Sequence, residues 1–155
     1  MRKLLAKTFI GLGLLLNPQF ALGEAPQRIV DQTGSLSAEQ LRTAENEIGQ
    51  ILRTTGVDLG VLIVSGHSSP TLRVYSYVQL ALRGVREDGL PRAVLVIDVK
   101  PQEAHLALSA EAEPYLSPGA ADWISEHELR SFIHRDSLAV DLGNTLKTIR
   151  ELFDK

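Results

Sequence analysis

The sequence predicts an α/β fold, a three-layer α/β/α sandwich in which a mixed sheet of about four strands is flanked by helices. Two observations predict this class. Short apolar runs rich in β-branched residues alternate along the chain with longer stretches that have the apolar period of an amphipathic helix. The strongest of these runs also lack a polar face, which is typical of strands covered on both sides. We therefore expect one sheet held between helical layers.

The segment before the first helix has the residues of a tight turn. Residues 29–31 form a short extended lead-in, and Gly34 permits the left-handed backbone that a sharp reversal often needs. Ser37 is placed to cap the helix, because its hydroxyl can accept from the N–H of Gln40 while the Gln40 side chain reaches back. Asp31, Gly34 and Ser37 are therefore predicted to form a structural motif at the helix entry.

The first helix and the strand after it follow from the apolar pattern. Gly56 is predicted to end the helix. The run 57–64 is rich in β-branched residues and is predicted to be a strand buried on both faces. One side of the helix carries an apolar stripe, which consists of Leu41, Ala44, Ile48, Ile51 and Leu52.

A loop and a second helix are predicted next. The polar stretch 65–71 contains a glycine and a proline and is typical of a loop. We expect a helix to begin near Pro70, which a first turn tolerates, and to end at about Arg83. The predicted core face of this helix consists of Leu72, Tyr75, Val78, Gln79 and Leu82.

A hairpin is predicted in the second half of the chain. The run 93–99 is strongly hydrophobic and predicts a central strand. Residues 100–103 predict a turn, and the alternation over 104–109 predicts the strand that returns. Pro114 is expected to end regular structure there.

The C-terminal third is predicted to be helical. Ser117 can cap one helix, with Pro118 at its first helical position. A last helix is expected from about Ser137, because apolar residues again recur at helical spacing. Its stripe consists of Leu138, Leu142, Thr145, Leu146, Ile149 and Phe153.

The N-terminal 23 residues have the parts of a secretory signal peptide. Basic residues come first, a short apolar run follows at 8–16, and small residues stand at 21–23. The run is too short to span a bilayer comfortably, since spanning takes roughly 20 residues. We therefore predict a signal peptide at 1–23 and one domain at 24–155, in the periplasm or secreted. An uncleaved membrane anchor is the alternative.

Charge and cysteine content exclude several classes of protein. The whole chain has 16 basic and 19 acidic side chains, and without the three basic residues of the leader its formal charge falls from −3 to about −6. An acidic domain is a poor ligand for phosphate backbones, so no nucleic-acid partner is expected. The chain has no cysteine, which excludes disulfides and thiolate metal sites.

The order of these motifs resembles the opening of the TPM domain. The chain reads V-D-x-x-G-x-L-S from Val30, then a long helix, then T-G-V-x-L-x-V-x-I-V up to Val64. The likeness continues more weakly to about Leu152. The TPM family includes thylakoid-lumen phosphatase-like proteins and bacterial extracytoplasmic proteins. The resemblance implies the same three-layer arrangement.

Histidine chemistry is weakly indicated. No two of the four histidines have the i, i+4 spacing that places two imidazoles on one helix face. His134 and Asp136 could offer two metal ligands, or Asp136 could simply cap the following helix. The run 65–69 places serines beside His67, but neighbours in sequence are seldom oriented for proton transfer. A solvated loop is the favoured interpretation of that run.

Carboxylates are the remaining candidates for a metal site. Glu111 and Glu113 follow the predicted hairpin, and Asp136 lies beyond the next predicted helix. If the chain folds back on itself, the three side chains could converge on a hard divalent cation such as Ca²⁺, which prefers oxygen ligands. A surface acidic patch without metal is the alternative.

The resemblance to TPM domains fails where that family carries its acidic and glycine residues. Residues 91–93 stand at the position of the family's acidic pair, and 109–114 stand over its G-Y-G-L-E-G segment. There Glu113 alone keeps the expected acid, while Asp136 falls at a later aspartate. The resemblance therefore implies an interaction or accessory module in membrane-protein assembly, repair or quality control, with a membrane-protein partner. The alternative is a divalent-metal-assisted acid phosphatase that uses Glu113, Asp136 and Glu111.

Overall fold

The computed structural model describes residues 27–83, 89–116, 119–124 and 138–154. Its strands are β1 Ile29–Asp31, β2 Asp58–Val64, β3 Arg92–Asp98 and β4 Glu103–Leu108. Its helices are α1 Ala38–Thr55, α2 Leu72–Leu82, α3 Ala120–Trp123 and α4 Leu138–Phe153, with a short 3₁₀ helix at Glu113–Tyr115. The predicted leader and most of the helix predicted from Ser117 lie outside the described residues. Within the described part, no helix is both long and apolar enough to cross a bilayer.

The four strands form one mixed sheet in the order β1-β2-β3-β4. The first three strands run parallel, with Asp31 opposite Ile63 and Val64 opposite Asp98. The fourth strand returns antiparallel to β3 as the predicted hairpin. Helices connect the parallel strands, α1 between β1 and β2 and α2 between β2 and β3. The predicted α/β class with a mixed sheet of about four strands is confirmed.

Helices cover both faces of this sheet. On one face α1 and α4 pack over alternate residues of the strands, among them Val61, Leu95 and Leu106. On the other face Leu72 and Leu80 of α2 form a smaller cluster, whose other members are Leu62, Val64, Val94, Val96 and Ala107. All residues of β2 and β3 are buried as a result. Burial of their apolar side chains stabilises the three layers by the ordinary hydrophobic effect.

The two parallel crossovers have opposite handedness. Both step in the same direction across the sheet, from β1 to β2 and from β2 to β3. However, α1 lies on one face and α2 on the other. One of the two crossovers is therefore left-handed, against the strong general preference for right-handed connections. The apolar pattern of the sequence carries no information about this choice.

Both ends of α1 have the predicted caps. Ser37 Oγ accepts from the N–H of Gln40 at 3.2 Å, and the N–H of Ser37 donates to Gln40 Oε1 at 2.7 Å. Gly56 follows the helix with φ 74°, and its N–H donates to the carbonyl of Leu52. A left-handed residue at this position favours glycine, because a side chain would be strained there.

The start of α2 differs from the prediction. The helix begins at Leu72, and Thr71 caps it by accepting from the N–H of Val74 at 3.2 Å. Pro70 therefore lies in the preceding loop and not in the first turn. The Thr71 hydroxyl accepts a hydrogen bond from an N–H of the first turn, whereas a proline side chain has no acceptor for that N–H.

The predicted core face of α2 is wrong for two of its five residues. Val78 and Leu82 are exposed, whereas Ser76 and Leu80 are buried. Ser76 lies inside because its Oγ is 2.7 Å from Nδ1 of His105 on β4. The hydrogen bond between Ser76 and His105 fixes which face of α2 is buried. Val78 and Leu82, which the apolar pattern placed in the core, therefore face outward.

The C-terminal elements agree with the predictions in part. The stripe of α4 is buried at all of its predicted positions, which are Leu138, Leu142, Thr145, Leu146, Ile149 and Phe153. Pro114 does not end regular structure, because it lies inside the short 3₁₀ helix. Proline is compatible with the first turn of a helix, where its missing N–H would have no partner.

Candidate functional site

Polar side chains gather at the carboxyl edge of the three parallel strands. Asp31 ends β1, Asp98 ends β3, and the loop after β2 contributes Gly66 and His67. This edge is where open α/β sheets generally bind ligands, because the strand ends and the following loops converge there. It is therefore the first candidate site of the molecule.

Asp98 is the centre of this edge. Its side chain is fully buried and accepts the N–H groups of Gly66 at 2.8 Å, His67 at 2.9 Å and Lys100 at 3.1 Å. Burial raises the pKa of Asp98, but the hydrogen bonds from these N–H groups and from the His67 ring outweigh it. The net pKa lies below its ordinary value. The carboxylate is therefore ionised at neutral pH.

His67 is the second member of the pair. Its Nδ1 lies 2.8 Å from Oδ2 of Asp98, and its side chain is 13% exposed. The ionised carboxylate can only accept, so Nδ1 carries the hydrogen of this bond and Nε2 is the ring nitrogen that faces away from Asp98. A ring oriented in this way can act as a base or as a single metal ligand.

The surroundings of His67 form an open depression of about 420 Å³, lined by Gly66, His67, Asp98, Lys100 and Pro101. The ring of Tyr75 lies beside it, with ring centroids 5.8 Å apart. Burial and the charge of Asp98 raise the pKa of Tyr75, which keeps its hydroxyl protonated. Ser65 and Ser68 are exposed, and no hydrogen bond in the described part joins them to His67.

Sequence reasoning treated His67 as part of a solvated loop and did not single out Asp98. The sequence does contain a signal for Asp98, because it is the only charged residue in the apolar run 93–99 and lies near the carboxyl end of that run. A buried carboxylate needs several donors. The partner loop lies 31 residues earlier, however, and the sequence does not specify that pairing.

Asp31 has a structural role at the helix entry. Its Oδ1 accepts from the hydroxyl of Thr33 at 2.6 Å and from the N–H groups of Thr33 and Gly34, while Oδ2 accepts from the N–H of Leu36 at 2.8 Å. Burial raises the pKa of Asp31, but these hydrogen bonds lower it by more, so the pKa lies below its ordinary value. With Gly34 at φ 65°, the carboxylate fixes the turn that leads to Ser37.

The structure places two of the three carboxylates that were predicted as metal ligands. Glu111 is exposed, and its pKa is lowered by a hydrogen bond from Ser109 and by the nearby charge of Arg92. Glu113 is also exposed and lies in the 3₁₀ helix. Asp136 lies outside the described residues, so the convergence of the three remains a prediction. The described residues contain no group of three potential metal ligands.

A second polar pair lies inside the α2 layer. Ser76 Oγ is 2.9 Å from the carbonyl of Arg73 and 2.7 Å from Nδ1 of His105. Because a hydroxyl has one hydrogen and the carbonyl must accept it, Nδ1 of His105 donates to Ser76. Burial and the charge of Arg73 lower the pKa of His105, so the ring is neutral at pH 7. This pair fixes the orientation of α2.

The outward face of α2 is apolar as a consequence. Val74, Val78 and Leu82 recur at four-residue steps and are 48%, 46% and 47% exposed. We call these three residues the α2 stripe. Tyr77, also exposed, lies beside the stripe. Single exposed apolar residues are normal, but a continuous stripe on one helix face is typical of an interface.

A groove adjoins the α2 stripe. It has a volume of about 580 Å³ and lies between α2 and residues of 113–116 and 119–122. Arg73 and Asp122 form an exposed ion pair across it at 3.6 Å. Its wall is mixed: the charged residues Arg73, Glu113 and Asp122 line it together with the apolar or aromatic residues Tyr77, Leu108, Pro114 and Leu116. A helix side chain of a partner could enter this groove.

Comparison with known proteins shows the fold alone. No protein-family profile and no curated protein matches the chain. The N-terminal domain of a protein from P. gingivalis has a similar structure, with a TM-score of 0.69 at 16% identity over 83% of this chain and 82% of that domain. The N-terminal domain of the cg2496 protein from Corynebacterium glutamicum has a TM-score of 0.60 at 11% identity, over 87% of this chain and 90% of that domain.

Proposed function

We propose that the chain is an exported, TPM-like domain that acts as an interaction or accessory module in membrane-protein assembly, repair or quality control. The α2 stripe is the observation that carries this proposal. Three apolar side chains, each nearly half exposed, are costly to leave in water and become favourable when a partner covers them. The likeness of residues 30–64 to the opening of TPM domains supports the envelope setting.

The chemistry of the surface indicates the kind of partner. The α2 stripe has no charge, and Arg73, an exposed cation on the same helix, is paired with Asp122. The acidic net charge of the chain disfavours an anionic lipid surface. An apolar or amphipathic helix of a membrane protein is therefore the proposed occupant, with one of its side chains in the groove beside Tyr77.

The alternative, a metal-assisted acid phosphatase, has less support. The two buried or half-buried carboxylates at the carboxyl edge, Asp98 and Asp31, already accept hydrogen bonds from several protein N–H groups. A cation would have to compete with these donors. Glu111 lies near the charge of Arg92, which disfavours a cation there.

A matched pair of variants tests the interaction role. Val78→Asp places a charge in the α2 stripe, and Val140→Asp makes the same change on α4, where the side chain is 66% exposed. Both proteins should fold with unchanged circular dichroism. We expect a membrane-protein partner cross-linked in the cell envelope to be retained by V140D and lost by V78D. Equal retention by both variants would contradict the proposed surface.

An enzymatic assay tests the alternative. The purified protein is assayed on a chromogenic phosphomonoester from acid to neutral pH, with Ca²⁺ or Mg²⁺ and with a chelator. We expect no metal-dependent turnover. Turnover that is abolished by Glu113→Gln would reverse the order of the two proposals.

A further inference from the structure

A cluster of arginines lies at the amino-terminal edge of the sheet, opposite the carboxyl edge described above. Asp58 and Arg92 begin β2 and β3 and lie directly opposite each other. Side chains alternate along a strand, so both point to the α2 side, as Leu62 and Val94 do. Arg28 precedes β1, and Arg83 follows the end of α2. We call Arg28, Arg83 and Arg92 the arginine cluster.

Arg83 lies at the centre of the arginine cluster. Its Nη2 lies 3.3 Å from Oδ2 of Asp58, and its guanidinium covers Gly60, where a Cβ would collide with it. Burial lowers the pKa of Arg83, and the charges of Arg92 and Arg28 lower it further, against the opposing effect of Asp58. The charges of Arg28 and Arg92 are therefore close enough to Arg83 to repel its charge.

Arg92 has buried donors that find no acceptor among the described residues. The residue is 8% exposed, and its Nε and Nη1 make no hydrogen bond within the part of the chain that the structure describes. The same holds there for the buried Nε of Arg28. A buried donor without an acceptor costs roughly 1–3 kcal/mol, and more when it is charged, so native structures seldom contain one. Asp58 forms an ion pair with Arg83, and the exposed Glu111 lies near enough to Arg92 for that charge to lower its pKa.

We propose that the arginine cluster binds a small oxyanion of the phosphate type, held by Arg92 and Arg28. Such an anion would supply acceptors to these Nε and Nη1 groups and would offset the repulsion of Arg83 by Arg28 and Arg92. Guanidinium groups suit this ligand, since their fixed fork of N–H donors matches two oxygens of one phosphate. The site lies at the opposite edge of the sheet from His67 and does not depend on the proposed interaction role.

The direct test is a titration of the purified full chain with inorganic phosphate in chloride buffer of constant ionic strength. The Nε–H resonances of the arginines are followed by NMR, and the thermal midpoint is measured in parallel. We expect the Arg92 resonance to shift in a saturable way and the midpoint to rise, because a ligand that binds only the folded state stabilises it. Glycerol phosphate at the same concentrations distinguishes a phosphate-ester site from one for the free ion.

The matched variants are Arg92→Met and Arg42→Met. Arg42 is exposed on α1, so R42M makes the same change in charge away from the cluster. We expect R92M to weaken phosphate binding by at least about tenfold, since a charge-assisted hydrogen bond is lost, and R42M to bind as the wild type does. In phosphate-free buffer R92M should be no less stable than the wild type, because replacing an unpaired buried charge by an apolar side chain is often neutral or favourable.

Two results would overturn the proposal. One is an Arg92 resonance that does not respond to phosphate in the wild type, which needs no variant to observe. The other is equal phosphate binding by R92M and wild type. Either result would mean that carboxylates of the chain itself balance the charge of the cluster.

Discussion

Asp98 is the residue on which the carboxyl edge depends most. Its carboxylate accepts three backbone N–H groups and the ring N–H of His67, and so joins the loop after β2 to the end of β3. A buried charge with this many donors stabilises the fold, whereas the same charge without them would destabilise it. The Asp98–His67 pair therefore has first of all a structural role, because its hydrogen bonds hold the loop after β2 against the end of β3.

Asp98→Asn should destabilise the fold by roughly 2–3 kcal/mol at pH 7, because hydrogen bonds to a charged acceptor are lost and the amide hydrogens face N–H donors. The folded-state pKa of Asp98 lies below its ordinary value of 3.8. The carboxylate's contribution is thus complete above that value and is lost as the pH falls below it. Urea unfolding at pH 7, 5 and 3 measures this effect.

The control for this experiment is Asp154→Asn, an exposed aspartate just after α4. We expect D154N to unfold as the wild type does at every pH, and D98N to approach the wild type at pH 3. A destabilisation by D98N that is undiminished at pH 3 would show that the charge of Asp98 does not cause it.

At the scale of the elements, the sequence predicted well which helices and strands exist. It predicted poorly which face of α2 is buried. The cap of α1, the buried β2 and the stripe of α4 depend on local spacing, which the sequence displays. The face of α2 depends on Ser76 and His105, which are 29 residues apart and both polar. Periodicity assigns polar residues to the outside, so it could not place this pair in the interior.

The candidate sites divide in the same way, into those built from local contacts and those built from residues distant in sequence. The Asp31 turn is local and was read from the sequence as a motif, while its hydrogen bonds link residues at most five positions apart. The Asp98–His67 pair and the arginine cluster join strands and loops that are distant in sequence. Their members become neighbours only when the strand order is known.

Replacing a glycine by alanine is expected to lower the stability of the fold in β2 and to raise it in α4. Gly60→Ala in β2 places a methyl group where the Arg83 guanidinium lies, and displacing a buried side chain typically costs about 1–3 kcal/mol. Gly143→Ala in α4 meets no atom within 4 Å and should stabilise the helix by about 0.5–1 kcal/mol. Thermal or urea unfolding of both variants provides the measurement. A neutral G60A would show that Arg83 moves aside without loss of its contact with Asp58.

At the scale of the whole molecule, the two faces of the sheet serve different purposes. The face under α1 and α4 holds the larger apolar core. The α2 face holds the smaller one, and with it the Ser76–His105 pair, the arginine cluster and the exposed stripe. Stability therefore comes mainly from the first face, and the recognition that we propose belongs to the second.

The central claim is that a partner covers the α2 stripe. It is tested most directly by placing a photo-reactive amino acid at position 78, and separately at position 140, in the chain expressed in its own cell envelope. We expect irradiation to yield one reproducible adduct with a membrane protein from position 78 and none from position 140. Adducts that are absent from both positions, or equal at both, would contradict the claim.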